Sequence, residues 1–342
     1  MMTRAAVLVD LGQPLQMHSL EIPPLQHGQV LVRVICSGIC GSQLGEIEGV
    51  KGHDSYLPHL LGHEACGEVM ETGAGVRRVA PGQRVVLHWR KAAGLEGPAA
   101  TYHSPTLGKV NSGWVTTFSQ HTVVSENRVT PVDSATPAPV AALMGCAVTT
   151  GAGVVNRDAQ LQLGESLLIL GAGGVGLSVL QAARLAGAIP VVVCDRFENR
   201  LELAQKLGAD RVVSSQNDDL EEALAQPPGF DVVVESTGHV PFIEMAYRLA
   251  APQGRVVLVG VPRAGQQAKL YTLPLHFGKT LRGSHGGDSQ PDRDIPRYLK
   301  LVEAGRLDLD SLVSRRYAFE DINRALDDMR EGVVAGRCLL EM

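Results

Sequence analysis

Apolar positions along the chain fall into two regimes. From Ala5 to about Ala142 they come in short runs broken by Gly and Pro: AAVLV (5–9), QVLVRVI (29–35), CGEVMETG (66–73) and GQRVVLHW (82–89). In QVLVRVI, Val30, Val32 and Val34 share one face, the period of two that a half-buried strand requires. Turn signals recur between the runs as PPLQHG, TGAG and APGQ. This half reads as a β-rich, barrel-like domain with long loops.

The pattern changes near Leu161. SLLIL (166–170) is apolar throughout and is followed by GAGGVG and an Ala/Leu-rich helical stretch, LSVLQAARLAG. Then come PVVVCD (190–195), a charged helix ENRLELAQKLG, RVV (211–213), a polar helix near DDLEEALAQ and DVVVE (231–235). A helix near FIEMAYRLA and a strand RVVLVG (255–260) close the series. Fully apolar strands alternating with helices predict a parallel sheet covered on both faces, the α/β doubly wound nucleotide-binding fold. After Gly283 stand two more helical stretches, IPRYLKLVEAG and FEDINRALDDMREG, and a last strand, GRCLLEM. Periodicity leaves open which domain they join.

Gly171, Gly173 and Gly176, with Gly174 and Val175 between them, form GxGxxG between a predicted strand and a predicted helix. The first Gly permits the tight turn, the second a close approach to a pyrophosphate, and the third close helix–strand packing. The free N–H groups of the helix N-terminus favour phosphate there. Asp195 ends the second strand, where a carboxylate accepts the adenine-ribose hydroxyls and repels a 2′-phosphate. NAD is therefore expected over NADP. Arg196 beside it is a group that a 2′-phosphate would want, and it reads equally well as a surface charge.

Composition narrows the class. The 342 residues suggest two domains, and 44 % hydrophobic against 20 % charged residues can bury a sizeable core. A formal net charge of −5 gives no reason to expect nucleic acid or an anionic membrane as partner. No apolar run approaches the ~18–20 residues of a membrane span. The opening residues show no signal-peptide pattern, so a cytoplasmic location is expected. Six scattered cysteines with no CxxC argue against disulfide staples and thiol redox chemistry.

Three segments carry a resemblance: GICGSQLGEIEG (38–49), PHLLGHEACGEV (58–69) and LMGCAVTTGAGVV (143–155). With TTFSQHTVVSENRV (116–129), the GxGxxG block and VGVP (259–262), they resemble the zinc-dependent alcohol dehydrogenases of the medium-chain dehydrogenase/reductase superfamily. The resemblance implies a GroES-like catalytic domain over 1–147 and 286–342, discontinuous around a Rossmann domain over 148–285. It also implies a homodimer or homotetramer paired through the coenzyme domain, for which KLYTLPL (269–275) is the expected edge strand.

Carried over residue by residue, the catalytic zinc ligands fall on Cys40, His63 and Cys146. Two thiolates and one imidazole form a set that leaves a zinc position open for substrate. Each residue taken alone reads as core. Glu64 matches the family's acid beside the metal, and would orient or transiently ligate it; otherwise it is a buried acid paired with an arginine. The resemblance implies hydride exchange between a small-molecule alcohol or carbonyl substrate and NAD, with Ser42 receiving the hydroxyl proton. Arg200 matches the basic residue that holds the adenosine ribose, and the Val259 and Val261 backbones match those that meet the carboxamide.

The chain departs from the family at three points. No cysteine lies between Cys66 and Cys146, so the lobe that often holds a structural zinc is empty and one zinc per subunit is expected. Gln43 replaces the usual Asp, leaving an amide oxygen to orient the ligand imidazole. Gly45 stands where a relay histidine often sits, so His53 and His285 become the candidate ends of the proton path.

Trp89 occupies the place of a bulky residue lining the alcohol pocket, and His88, Arg90 and Lys91 flank it. A Trp face stacks well on a sugar or cyclitol ring, and cations beside it could bind a carboxylate or phosphate. The expected substrate is a secondary hydroxyl of a polyol, sugar or cyclitol, with Trp89 and His285 as substrate residues. The competing readings are a dehydrogenase of simple alcohols and aldehydes, a zinc-free NADPH quinone or enoyl reductase, and a non-catalytic nucleotide-binding protein. The ligand set and Asp195 argue against the zinc-free reductase, and the ligand set with Ser42 against a non-catalytic protein.

Overall fold

The computed structural model describes all 342 residues. Its contacts divide the chain into two compact units: Met1–Cys146 with Gln290–Lys300 and Val313–Met342, and Ala147–Ser289 with Leu301–Leu312. The expected second segment, 286–342, is thus divided, with residues 301–312 lying in the second unit.

The first unit is built on a seven-stranded sheet and a small closed barrel. Gln29–Ile39 is central, pairing with Glu64–Thr72, His121–Ser125 and Arg337–Glu341. The period of two is realised along it. Val30, Val32 and Val34 pack with Val85, Leu87 and Val124, while Arg33 points outward to Glu68 at 2.6 Å. Leu31, on the other face, joins the barrel's core with Ala5, Leu20 and Tyr102. The barrel strands are Met2–Leu8, Gln16–Glu21, His59–Leu60, Thr101–Ser104 and Gly108–Asn111. The last strand, Arg337–Glu341, sets Cys338 opposite Ile39. One end of the chain is thereby stitched beside the residue that precedes Cys40.

The second unit holds six parallel strands. Their spatial order is Arg211–Ser214, Val191–Asp195, Leu167–Leu170, Phe230–Glu235, Ala250–Leu258 and Thr280–Gly283. This is the 3-2-1-4-5-6 order of the doubly wound dinucleotide fold, whose ligands bind where the order reverses, at the carboxyl ends of the first and fourth strands. Helices Gly174–Leu185, Glu198–Lys206 and Val240–Leu249 connect the strands. Leu168, Leu170, Val192 and Val233 are buried against Phe230, Ala246 and Leu249, which is why these strands read as apolar throughout.

One expected element is different. KLYTLPL is not the sheet edge: Leu273–Phe277 forms a 3₁₀ turn, and Thr280–Gly283 is the outermost strand. Pro274 has no N–H to give a ladder and favours the first turn of a helix. No helix is long and apolar enough to cross a membrane.

Candidate active site

Three loops of the first unit bring Cys40, His63 and Cys146 together. Cys40 directly follows the central strand and precedes the short helix Gly41–Ile47. His63 follows Gly62, which has φ +87° and stands so close to Thr117 that a Cβ would lie 2.3 Å from its Oγ1. Only glycine turns the chain there without strain. The strand that begins at Glu64 is anchored by Ser37, whose Oγ donates to the Glu64 carbonyl at 3.1 Å. Cys146 lies just beyond the helix Ala138–Leu143. The two sulfurs and one ring nitrogen lie within 4.8 Å of one another.

The chemistry of this pocket is that of a cation site. His63 Nε2 is buried with no hydrogen-bond partner, an anomaly for a polar atom. The Cys40 thiol is held well below its ordinary pKa, first by the neighbouring Cys146 S–H, against burial, then by Arg337 and His63. Cys146 is raised by the same pairing and by burial. Burial pulls His63 down, but the Cys40 thiolate beside it outweighs that and leaves it raised. An ionised thiol, a second thiol and an orphaned imidazole nitrogen suit a tetrahedral zinc with one open position.

Two side chains stand behind the ligands. Gln43 is buried; its Oε1 accepts from the Cys40 N–H at 3.0 Å, and its Nε2 lies 2.7 Å from His63 Nδ1. The amide oxygen expected on the imidazole is therefore on the Cys40 backbone instead. A ring that ligates through Nε2 carries its proton on Nδ1 and needs an acceptor there. The one amide oxygen is taken by the Cys40 N–H, so the side facing Nδ1 is the amide NH₂, where a carboxylate would have offered a second acceptor.

Glu64 is fully buried, and its Oε1 lies 3.0 Å from Arg337 Nε, itself only 4 % exposed on its side chain. Arg337 Nη1 also donates to the Ile39 carbonyl at 3.1 Å. Burial would lower the pKa of this guanidinium, but the negative charge of Glu64 and then of Cys40 raises it above the ordinary arginine value. Arg337 was not among the expected site residues. Nothing in GRCLLEM marks it, because its place depends on the long-range pairing of Arg337–Glu341 with the central strand.

Around these residues the expected set is partly assembled. Ser42 is exposed, and its Oγ accepts from Gln43 Nε2 at 3.2 Å. Trp89 flanks His63, with ring centroids 6.4 Å apart, and the Arg90 guanidinium lies 5.7 Å from the Trp89 ring. His88 is not a cation beside it. It is fully buried, bonded to the Arg90 carbonyl and Thr130 Oγ1, and burial pushes its pKa down to about 4. Lys91 pairs with Glu96. His53 is exposed on the loop that follows the short helix.

The second unit carries the dinucleotide motif as expected in its strand–turn–helix setting. Gly171 has φ +103°, and a Cβ on Gly176 would lie 1.9 Å from the Gly171 carbonyl oxygen. Gly173 precedes the helix that starts with Gly174 and Val175, and a Cβ there would project into open space, room a phosphate can take. Asp195 accepts from the Ala172 N–H at 2.7 Å and the Phe197 N–H at 3.0 Å, with Arg200 at 3.8 Å. The Arg196 and Arg200 guanidinium groups lie 4.4 and 4.7 Å from the Phe197 ring. The Val259 N–H donates to the Glu235 carbonyl at 2.7 Å, and Val261 is 67 % exposed. His285 is exposed, just ahead of the turn Gly286–Asp288.

Known proteins match both units. A model of the alcohol dehydrogenase GroES-like domain matches residues 26–134, and one of the zinc-binding dehydrogenase domain matches residues 174–304. The chain belongs to the zinc-dependent alcohol dehydrogenase family. It is 29 % identical to an S-(hydroxymethyl)glutathione dehydrogenase of Synechocystis sp., over 97 % of this chain and 98 % of that protein. It is 28 % identical to alcohol dehydrogenase 1 of Trifolium repens, over 99 % and 97 %. The crystal structure of benzyl alcohol dehydrogenase from Acinetobacter calcoaceticus superposes with a TM-score of 0.89 at 28 % identity, covering 100 % of this chain and 99 % of that one.

In this alcohol dehydrogenase the Glu64–Arg337 pair is a buried ion pair, so its two halves should be strongly coupled. Arg337→Met leaves a buried carboxylate without its partner and should lower stability by about 3–5 kcal/mol. Glu64→Gln combined with Arg337→Met should recover most of that loss. Urea unfolding of the two single variants and the double variant checks this; independent, additive losses would contradict the coupling.

Proposed function

We propose that the chain is an NAD-dependent dehydrogenase that holds one zinc through Cys40, His63 and Cys146 and oxidises a secondary hydroxyl of a polyol, sugar or cyclitol. The observation that carries the metal reading is the buried convergence of two thiols on an imidazole nitrogen that has no other partner. A bound zinc supplies Lewis acidity toward an alcohol or carbonyl oxygen, and a nicotinamide dinucleotide supplies the hydride carrier. The chain's residues do the rest. Glu64 and Arg337 hold charge balance behind the ligands. Ser42 Oγ accepts from Gln43, which leaves its own proton free to pass on as it takes one from the substrate. Trp89 offers a flat face beside His63. His53 and His285 are the groups we assign to the end of the proton path. The polyol reading rests on Trp89 and on a chain with only 14 aromatic residues, too few for a long greasy tunnel.

NAD is favoured by Asp195. Two of its lone pairs take backbone N–H groups, and a carboxylate has about four, so acceptors remain for ribose hydroxyls. The same carboxylate repels a 2′-phosphate. We place the chain in a homodimer or homotetramer, as the resemblance implies, and in the cytoplasm.

A second reading has support in the relatives' names. One relative is named an alcohol dehydrogenase and another a benzyl alcohol dehydrogenase, which favours a substrate with one hydroxyl and little other polarity. Steady-state kinetics on one metal-analysed preparation separates the two. The expected result is one zinc per chain after dialysis, with kcat/KM for the best polyol above that for ethanol and benzyl alcohol; Cys146→Ala should lose both the metal and turnover. Two zinc equivalents, or benzyl alcohol far ahead of every polyol, would overturn the corresponding part.

The cofactor choice has its own test. Asp195→Ser should relax the preference for NAD over NADP by roughly tenfold, about 1.4 kcal/mol, because a repulsion is removed while Arg196 remains. A wild-type protein that reduces NADP faster than NAD at equal concentration would contradict it.

A further inference from the structure

The segment after Trp89 has no cysteines to cross-link it, yet it is tied down, and one of its ties is a buried carboxylate. Glu126 is only 2 % exposed and opens the turn Glu126–Arg128. Its Oε1 accepts from the N–H groups of Arg77 and Arg78 at 2.7 and 2.8 Å, and its Oε2 from the Leu95 N–H at 2.6 Å. One side chain thus clamps two separate loops, 76–78 and 94–96. Charge-assisted bonds to backbone N–H groups are the strong kind, and burial removes the water that would compete.

Neighbouring bonds point the same way. The Ala92 N–H donates to the Asn127 carbonyl at 2.9 Å, the Asn127 N–H to the Leu95 carbonyl at 3.1 Å, and the Gly97 N–H to Ser125 Oγ at 2.8 Å. Gly94 has φ +120°, and a Cβ there would press to 3.1 Å from Glu126 Oε2. The loop is therefore built to lie against this carboxylate. Its first residue is Trp89, the wall beside His63.

We infer that Glu126 is a positioning residue: its carboxylate fixes the 89–97 loop and thereby the placement of Trp89 at the substrate side of His63. The consequence for substrate binding rests on the reading of Trp89 given under Proposed function. Glutamine at this position keeps one oxygen for the Arg77 and Arg78 N–H groups but turns an NH₂ toward the Leu95 N–H, donor against donor. The fold's other anchors stay intact, so the lesion is local.

Trp89 and Trp114 are the two tryptophans of the chain, so Trp114→Phe makes Trp89 the reporter. In that background, with zinc bound, Glu126→Gln should raise acrylamide quenching of Trp89 by about twofold and KM by roughly tenfold, with kcat changing less. Unchanged quenching would overturn the inference. Raised quenching with an unchanged KM for every substrate would support the clamp and overturn Trp89 as the substrate wall. Hydrogen exchange on the unaltered holoenzyme covers a Glu126→Gln that fails to fold. Slow exchange at the Arg77, Arg78 and Leu95 amides supports the clamp, and rapid exchange at Leu95 overturns it.

Discussion

Two thiols, one of them ionised, meet an imidazole nitrogen that has no hydrogen-bond partner beyond them, an arrangement that positive charge stabilises. Everything around Cys40, His63 and Cys146 follows from that constraint. Cys146 gives its proton to a hydrogen bond with Cys40, Arg337 supplies a fixed cation, and Glu64 holds Arg337 in place. The arrangement leaves His63 Nε2 bare, aimed at the sulfurs, where a divalent metal answers all three ligands at once. A second buried charge, the Glu126 carboxylate, bonds to backbone N–H groups on two loops, one of them the loop that follows Trp89, the residue proposed above as the substrate wall. Both devices hold a buried charge, one balanced by an opposite charge and the other by three backbone N–H groups.

The second unit solves a different problem, bringing backbone close to phosphate. Gly171 in its left-handed conformation and Gly176 against the Gly171 carbonyl allow the turn and the close packing, and Gly173 leaves open space at the helix start. Asp195 does double service. It ties down the Ala172 N–H in the glycine loop and retains acceptor capacity for a ribose. The carboxylate that shapes the loop is also the group proposed above to choose between NAD and NADP.

How much of this was legible beforehand divides along physical lines. Fully apolar strands such as LLIL and VVVCD announced a parallel sheet, because burial on both faces leaves no polar period. GxGxxG was readable because phosphate binding demands glycines at short local spacing, whereas Cys40, His63 and Cys146, far apart in the chain, were readable only through the family resemblance of the segments around them. Arg337 and Glu126 were not, since each acts through partners far away in sequence: Glu64 for one, Arg77 and Leu95 for the other. His88 looked like a cation and is a neutral core residue, because the strand's alternation turns it inward beside Thr130. KLYTLPL, expected as an edge strand from the family's pairing, holds a 3₁₀ turn at Leu273–Phe277, where Pro274 has no N–H to give a ladder. Gln43 was read by its oxygen, which the Cys40 N–H claims.

The central claim is that Cys40, His63 and Cys146 form one open zinc site. Zinc K-edge X-ray absorption on the protein as purified tests it most directly, because it reports ligand types without reference to any substrate. The expected fit is two sulfurs at ~2.3 Å with one nitrogen and one further light atom at ~2.0–2.1 Å. A four-sulfur shell, or a shell of light atoms alone, would contradict it.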